Sequence, residues 1–134
     1  MVDSLEPRSV MLTAVLPNLG PNPLTVEGCE QEGGEEDTWR VQAFAVCASP
    51  IASLEVVYSV GPWGSARTAS DAVICPPGKY IYAAGGAIFG EASGEVGFVG
   101  LGPQPPSIGW LAAAEDPSGA GPKWHTALVT VCAL

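Results

Sequence analysis

Positive charge is scarce in this chain. Arg8, Arg40, Arg67, Lys79 and Lys123 are its only fixed cations, against fourteen carboxylate side chains and a formal net charge of −9. A nucleic-acid binder needs a basic footprint to displace counterions, and an anionic membrane surface repels an acidic chain, so neither partner is expected. Long apolar runs are also missing. Glycine, proline or charge interrupts each one well short of the ~20 residues of a membrane-spanning helix. The opening Met1-Val2-Asp3-Ser4-Leu5-Glu6-Pro7 has neither a basic nor an apolar region, so no signal peptide is read there. No paired C-x-x-C occurs, which argues against zinc, and no G-x-S-x-G elbow or phosphate-cradling loop is present. With a single histidine, His125, any Ser-His-Asp or Cys-His site would have to use it. No enzyme activity and no cofactor are expected.

What is present reads as one all-β domain. The 134 residues are enough for one domain with a real core. Hydrophobic residues make up 47% and charged residues 14%, the latter well below the ~25% of ordinary soluble domains, which excludes a disordered tail. Seventeen glycines and thirteen prolines punctuate short runs rich in Val, Ala, Thr and aromatics, the pattern of an antiparallel β-sandwich or barrel of about eight or nine strands. Strands are expected near 9–16, 23–28, 38–48, 53–60, 66–75, 79–89, 95–101, 109–115 and 123–132. Alternation is clearest in Trp39–Cys47, where odd positions would face the core with Trp39.

An internal repeat organises the chain. TWRVQAFAVCA (38–48) aligns with KWHTALVTVCA (123–133) at an offset of 85, and VMLTAVLP (10–17) with VGFVGLGP (96–103) at an offset of 86. One single-residue indel reconciles the two, placing Leu24 opposite Trp110. The reading is a duplication within one domain, 1–134: a partial copy over 9–48 and a complete copy over 49–134. A partial copy also raises the expectation that a neighbour supplies missing strands by swapping.

Cys75-Pro76-Pro77-Gly78-Lys79, Gly85-Gly86-Ala87, Gly109-Trp110, Trp124 and Val131-Cys132-Ala133 form a pattern that resembles a repeat common in secreted proteins of actinobacteria and their phages. The resemblance covers about 45–134 well and 9–48 in part. It departs from the pattern at Ala83-Ala84, where glycine is usual, and at Cys29, which the second copy replaces with Glu115. It implies an extracellular or virion-surface setting but carries no activity.

Four cysteines suit disulfides in an oxidising compartment and reduced, buried thiols in cytosol. If 23–28 and 38–48 form a hairpin, Cys29 lies by its loop and Cys47 at the far end. Roughly nine residues at ~3.3 Å each would separate them, which is beyond bonding reach. Cys75–Cys132 is therefore favoured, Cys47–Cys75 is the rival, and Cys29 is expected to stay outside the bond.

The remaining chemistry lies in carboxylates and aromatics. Glu30, Glu32, Glu35 and Asp37 crowd a Gly33-Gly34 hairpin tip. Calcium takes converging oxygens, but this spacing follows no ligand loop, and a solvated like-charge tip is the ordinary reading, so no metal is assigned. Asp71, Glu91 and Glu95 stand alone in sequence, too dispersed for a glycosidase pair. Trp63, in the turn Gly61–Ser65, is either a cap over the end of the sandwich or an anchor for a sugar or partner. Trp110, beside the Pro103–Pro106 turn, could join it. Trp39 and Trp124 are expected in the core, with His125 on the opposite face.

These readings lead to a non-catalytic structural or adhesive module displayed on a cell or virion surface, bound to sister subunits or a larger assembly. The alternative is a carbohydrate-binding module using Trp63, Trp110, Arg67 and Asp71. A small hydrolase is the remote third.

Overall fold

The computed structural model describes residues 10–17, 24–30, 40–45, 47, 49, 51–90, 95–115, 121 and 123–134. Among them are eight strands and no helix: β1 (Val10–Pro17), β2 (Leu24–Glu30), β3 (Glu55–Val60), β4 (Thr68–Ile74), β5 (Tyr80–Gly90), β6 (Val96–Gln104), β7 (Ile108–Glu115) and β8 (Trp124–Ala133). They form a five-stranded sheet, β2-β1-β5-β8-β3, and a three-stranded sheet, β4-β7-β6, with every pairing antiparallel. The architecture is sandwich-like.

Side-chain alternation sets the core between the sheets. Trp124 and Leu128 of β8 pack against Val73 of β4, Val96 of β6, and Leu111 and Ala113 of β7. Directly opposite residues in neighbouring strands share a face. Leu128 lies opposite Gly86 of β5, which therefore points the same way. A Cβ on Gly86 would stand 2.5 Å from Leu111 Cδ1 and 2.9 Å from the Ala127 carbonyl oxygen, so the Gly-Gly-Ala motif lets the two sheets close. β8 is buried on both faces. Val129, Val131 and Ala133 point away from the second sheet, yet they too are buried. Its Val- and Thr-rich sequence suits that central position.

The expected disulfide is present. Cys75, just beyond β4, bonds Cys132 in β8, with Cα atoms 5.8 Å apart, and so ties one sheet to the other. The Cys-Pro-Pro-Gly-Lys turn is fixed around it. The Cys75 N–H donates to the Ser107 carbonyl (2.8 Å), the Lys79 N–H to Pro76 (3.0 Å) and the Ile81 N–H to Pro106 (2.9 Å). Lys79 Nζ reaches Glu55 Oε2 at 2.6 Å. Cys47 is an exposed thiol. Cys29 is half-buried in β2, its Sγ 4.0 Å from Thr13 Oγ1.

Eight of the nine expected strands are found, and the one expected over 38–48 is not seen among the described residues. Its described residues, Arg40–Ala45 and Cys47, have no strand pairing and are exposed, Phe44 at 80%. The alternation that would turn its odd positions inward therefore does not operate, and Trp39 lies outside the described residues. β2 pairs with β1 rather than with this segment. The hairpin used to separate Cys29 from Cys47 is thus absent from the described residues, although the bond it favoured does form. A strand pattern records the ability to pair, whereas β8, with the related sequence, has β5 and β3 on its two sides.

The hairpins β1–β2 and β6–β7 share one register. Val10 faces Glu30 as Val96 faces Glu115, Pro17 faces Leu24 as Pro103 faces Gly109, and the bulges fall at Leu12/Ala14 and Phe98/Gly100. The first strands are offset by 86 and the second by 85, so the one-residue difference lies in the connecting turns. Leu24 corresponds in position to Gly109 rather than Trp110, and Cys29 to Ala114.

The disulfide closes a loop over a sequence separation of 57. Replacing both Cys75 and Cys132 with alanine should lower unfolding free energy by about 4 kcal/mol if loop entropy dominates. Denaturant titration of the variant against the oxidised protein measures this, and a loss under 1 kcal/mol would refute the estimate. Gly86→Val should be destabilising by roughly 1–3 kcal/mol through overpacking against Leu111, read as a lower denaturation midpoint.

Candidate functional site

The sequence-derived binding residues fall in separate places. Trp63 precedes Gly64, which bridges Trp124 through paired backbone hydrogen bonds: the Trp124 N–H to the Gly64 carbonyl at 2.9 Å, and the Gly64 N–H to the Trp124 carbonyl at 3.2 Å. That bridge sets Trp63 over His125, ring centroids 4.2 Å apart and stacked, with Phe89 edge-on to the same imidazole at 5.4 Å. Since Trp124 is in the core, His125 faces outward from the five-stranded sheet, as expected. Trp63 remains 60% exposed. It packs on the outer face of the five-stranded sheet through His125 and also presents surface to solvent.

Trp110 belongs to the other outer face. Its neighbour Leu111 is in the core, so Trp110 points outward from the three-stranded sheet, opposite Ala72 of β4 and Gly102 of β6. Its six-membered ring lies over Gly100. A Cβ there would run into ring atoms Cη2 and Cζ3, so the glycine at the bulge makes room for the indole. An open depression beside it is lined by Ser70, Asp71, Ala72, Gln104, Trp110, Leu111 and Ala112. Asp71 borders this depression too, but it lies opposite Leu111 and turns its carboxylate toward the interior, whereas Trp63 sits on the opposite outer face.

Asp71 also has a structural task. Its Oδ2 accepts from Ser59 Oγ at 2.5 Å, linking β4 to β3 across the two sheets, and its Oδ1 accepts the Ala72 N–H at 2.8 Å. Arg67 is exposed just before β4, and its carbonyl accepts the Glu115 N–H at 2.8 Å. Of the acidic candidates, Glu30 ends β2, while Glu32, Glu35 and Asp37 lie outside the described residues. Among the described residues no three His, Cys, Asp or Glu side chains converge as metal ligands.

Sequence reading missed Ser70 and Gln104 beside Trp110, and Phe89 beside His125. Only cross-strand register brings them together: Ser70 lies opposite Ala112, Gln104 opposite Ile108 and Phe89 opposite His125. Comparison with known proteins adds no relative. No protein-family model, no curated protein and no solved structure matches the chain.

Asp71→Ala removes the Ser59 bond and should cost about 1–2 kcal/mol of stability. Arg67→Ala, at an exposed site, should stay within about 0.5 kcal/mol. Urea unfolding of the two variants side by side tests this, and equal effects would contradict the assigned role of Asp71.

Proposed function

We propose that the chain is a non-catalytic structural or adhesive module displayed on a cell or virion surface, where it binds sister subunits or a larger assembly. One observation carries the reading: large apolar side chains stand exposed on the outward side of the five-stranded sheet. Val57 packs on the core, so Tyr58 and Val60 lie on alternate faces of β3 from it; Val60 shares its outer face through pairing with Ala127, and Tyr58 through pairing with Val129. Tyr58 is 68% exposed and Val60 65%, and Phe89 and Trp63 are exposed near His125. Exposed aromatic and aliphatic groups of this kind serve as anchors for macromolecular partners.

Three further features support it. The Cys75–Cys132 bond is compatible with an oxidising compartment. The shared register of β1–β2 and β6–β7, together with the sequence repeat, supports duplication of one hairpin unit. The resemblance to secreted actinobacterial and phage repeats fits the same surface setting.

Light scattering across a concentration series, with and without reductant and chelator, tests the proposal. A defined oligomer is expected, unchanged by chelator and shifted toward monomer by Tyr58→Lys/Val60→Lys. A monomer at the highest concentrations would overturn the sister-subunit form.

A further inference from the structure

We propose that the Trp110 depression on the outer face of the three-stranded sheet binds a neutral saccharide, with the indole as platform and Gln104 and Ser70 as hydrogen-bonding groups. The argument uses a different face from the assembly reading and does not depend on it. Trp110 sits in the middle strand of its sheet, with β4 paired on one side and β6 on the other, so its backbone is held from both directions. Gly100 lies beneath the six-membered ring, and Ala72, Gly102 and Ala112 carry little bulk beside it. A bulky aromatic side chain on a rigid strand, surrounded by small residues, is a preorganised stacking surface whose ordering cost is met on folding. Trp110 is 38% exposed, so part of its ring is available while the rest is fixed by packing.

The lining supplies the polar part of such a site. Gln104 offers an amide with both donors and an acceptor, and Ser70 a hydroxyl that can act either way. Asp71 borders the same depression, but it lies opposite the core residue Leu111 and turns its carboxylate inward to Ser59, so the polar groups facing a ligand are those of Ser70 and Gln104. An apolar platform flanked by a few directional polar groups matches a sugar ring, which has C–H faces and a hydroxyl rim. Charge narrows the class. With a net charge of −9 on the chain, anionic sugars are disfavoured by repulsion, leaving neutral ones. Trp63, on the opposite outer face, cannot contribute to the same short ligand.

The test is tryptophan-fluorescence and calorimetric titration of the full chain with cellohexaose, mannohexaose and chitohexaose, using a hyaluronan hexasaccharide as the anionic control. Saturable binding of at least one neutral hexasaccharide is expected, with none of the anionic one. Trp110→Ala should weaken binding at least tenfold. Gln104→Ala, at an exposed position, should weaken it several-fold with an unchanged melting midpoint, which keeps the test valid if Trp110→Ala unfolds. Trp63→Ala should bind as the parent does, and solution mass should be the same for all Gln104 variants. Failure to bind any neutral hexasaccharide would overturn the proposal. So would preference for the anionic control, loss of binding in Trp63→Ala, or a Gln104→Ala variant that changes solution mass while leaving binding intact.

Discussion

The molecule depends on a strand that is buried on both faces. β8 lies between β5 and β3, contributes Trp124 and Leu128 to the space between the sheets, and buries Val129 and Val131 on its other side. Such a strand cannot be displaced without exposing apolar surface in two directions, at roughly 25 cal/mol per Å². Its end is also bonded through Cys132 to Cys75, which extends the hold to the three-stranded sheet. Because the Cys75 N–H donates to the Ser107 carbonyl and the Ile81 N–H of β5 to Pro106, the β6–β7 turn is fixed beside the same anchor.

That rigidity positions what faces solvent. Trp124 occupies the core and hydrogen-bonds Gly64 along the backbone, so Trp63 is placed over His125, the residue next to Trp124. On the far side, Leu111 fills the core and Trp110, one residue back, is turned outward onto Gly100. In both cases a buried residue and its outward-facing neighbour in β7 or β8 form a pair, and the alternation of the strand converts core packing into surface placement. The two tryptophans consequently serve different faces. One stacks on His125 beside Phe89 of β5; the other adjoins Ser70 of β4 and Gln104 of β6. The proposed assembly surface and the proposed saccharide site therefore lie on opposite outer faces, where neither obstructs the other.

The local signals in this sequence were strong because the chain punctuates itself. Pro and Gly clusters bound short apolar runs, and β-branched residues fill them, so eight strands are legible close to their observed limits. The core role of Trp124 and the outward direction of His125 were legible from alternation, whereas the Cys75–Cys132 bond was favoured through a hairpin that the described residues do not form. The segment 38–48 shows where that legibility stops. It carries the same Trp, Val, Cys and Ala as β8, yet its described residues are unpaired, because hydrogen-bonding partners are a property of neighbouring chain and not of the segment itself.

Sequence alone determined the class: an acidic, turn-rich, antiparallel β protein with residues able to form one disulfide. Those properties are local, set by side-chain period, turn chemistry and charge count. Tertiary structure decided which strands are neighbours, and with them every surface constellation. Trp63 and Trp110 were grouped by residue type, but pairing sent them to opposite faces. Ser70 and Gln104 were inconspicuous in sequence and stand beside Trp110 only because β4 and β6 flank β7. Cross-strand contacts join residues distant along the chain, and the register that selects them is fixed by packing of the whole sandwich.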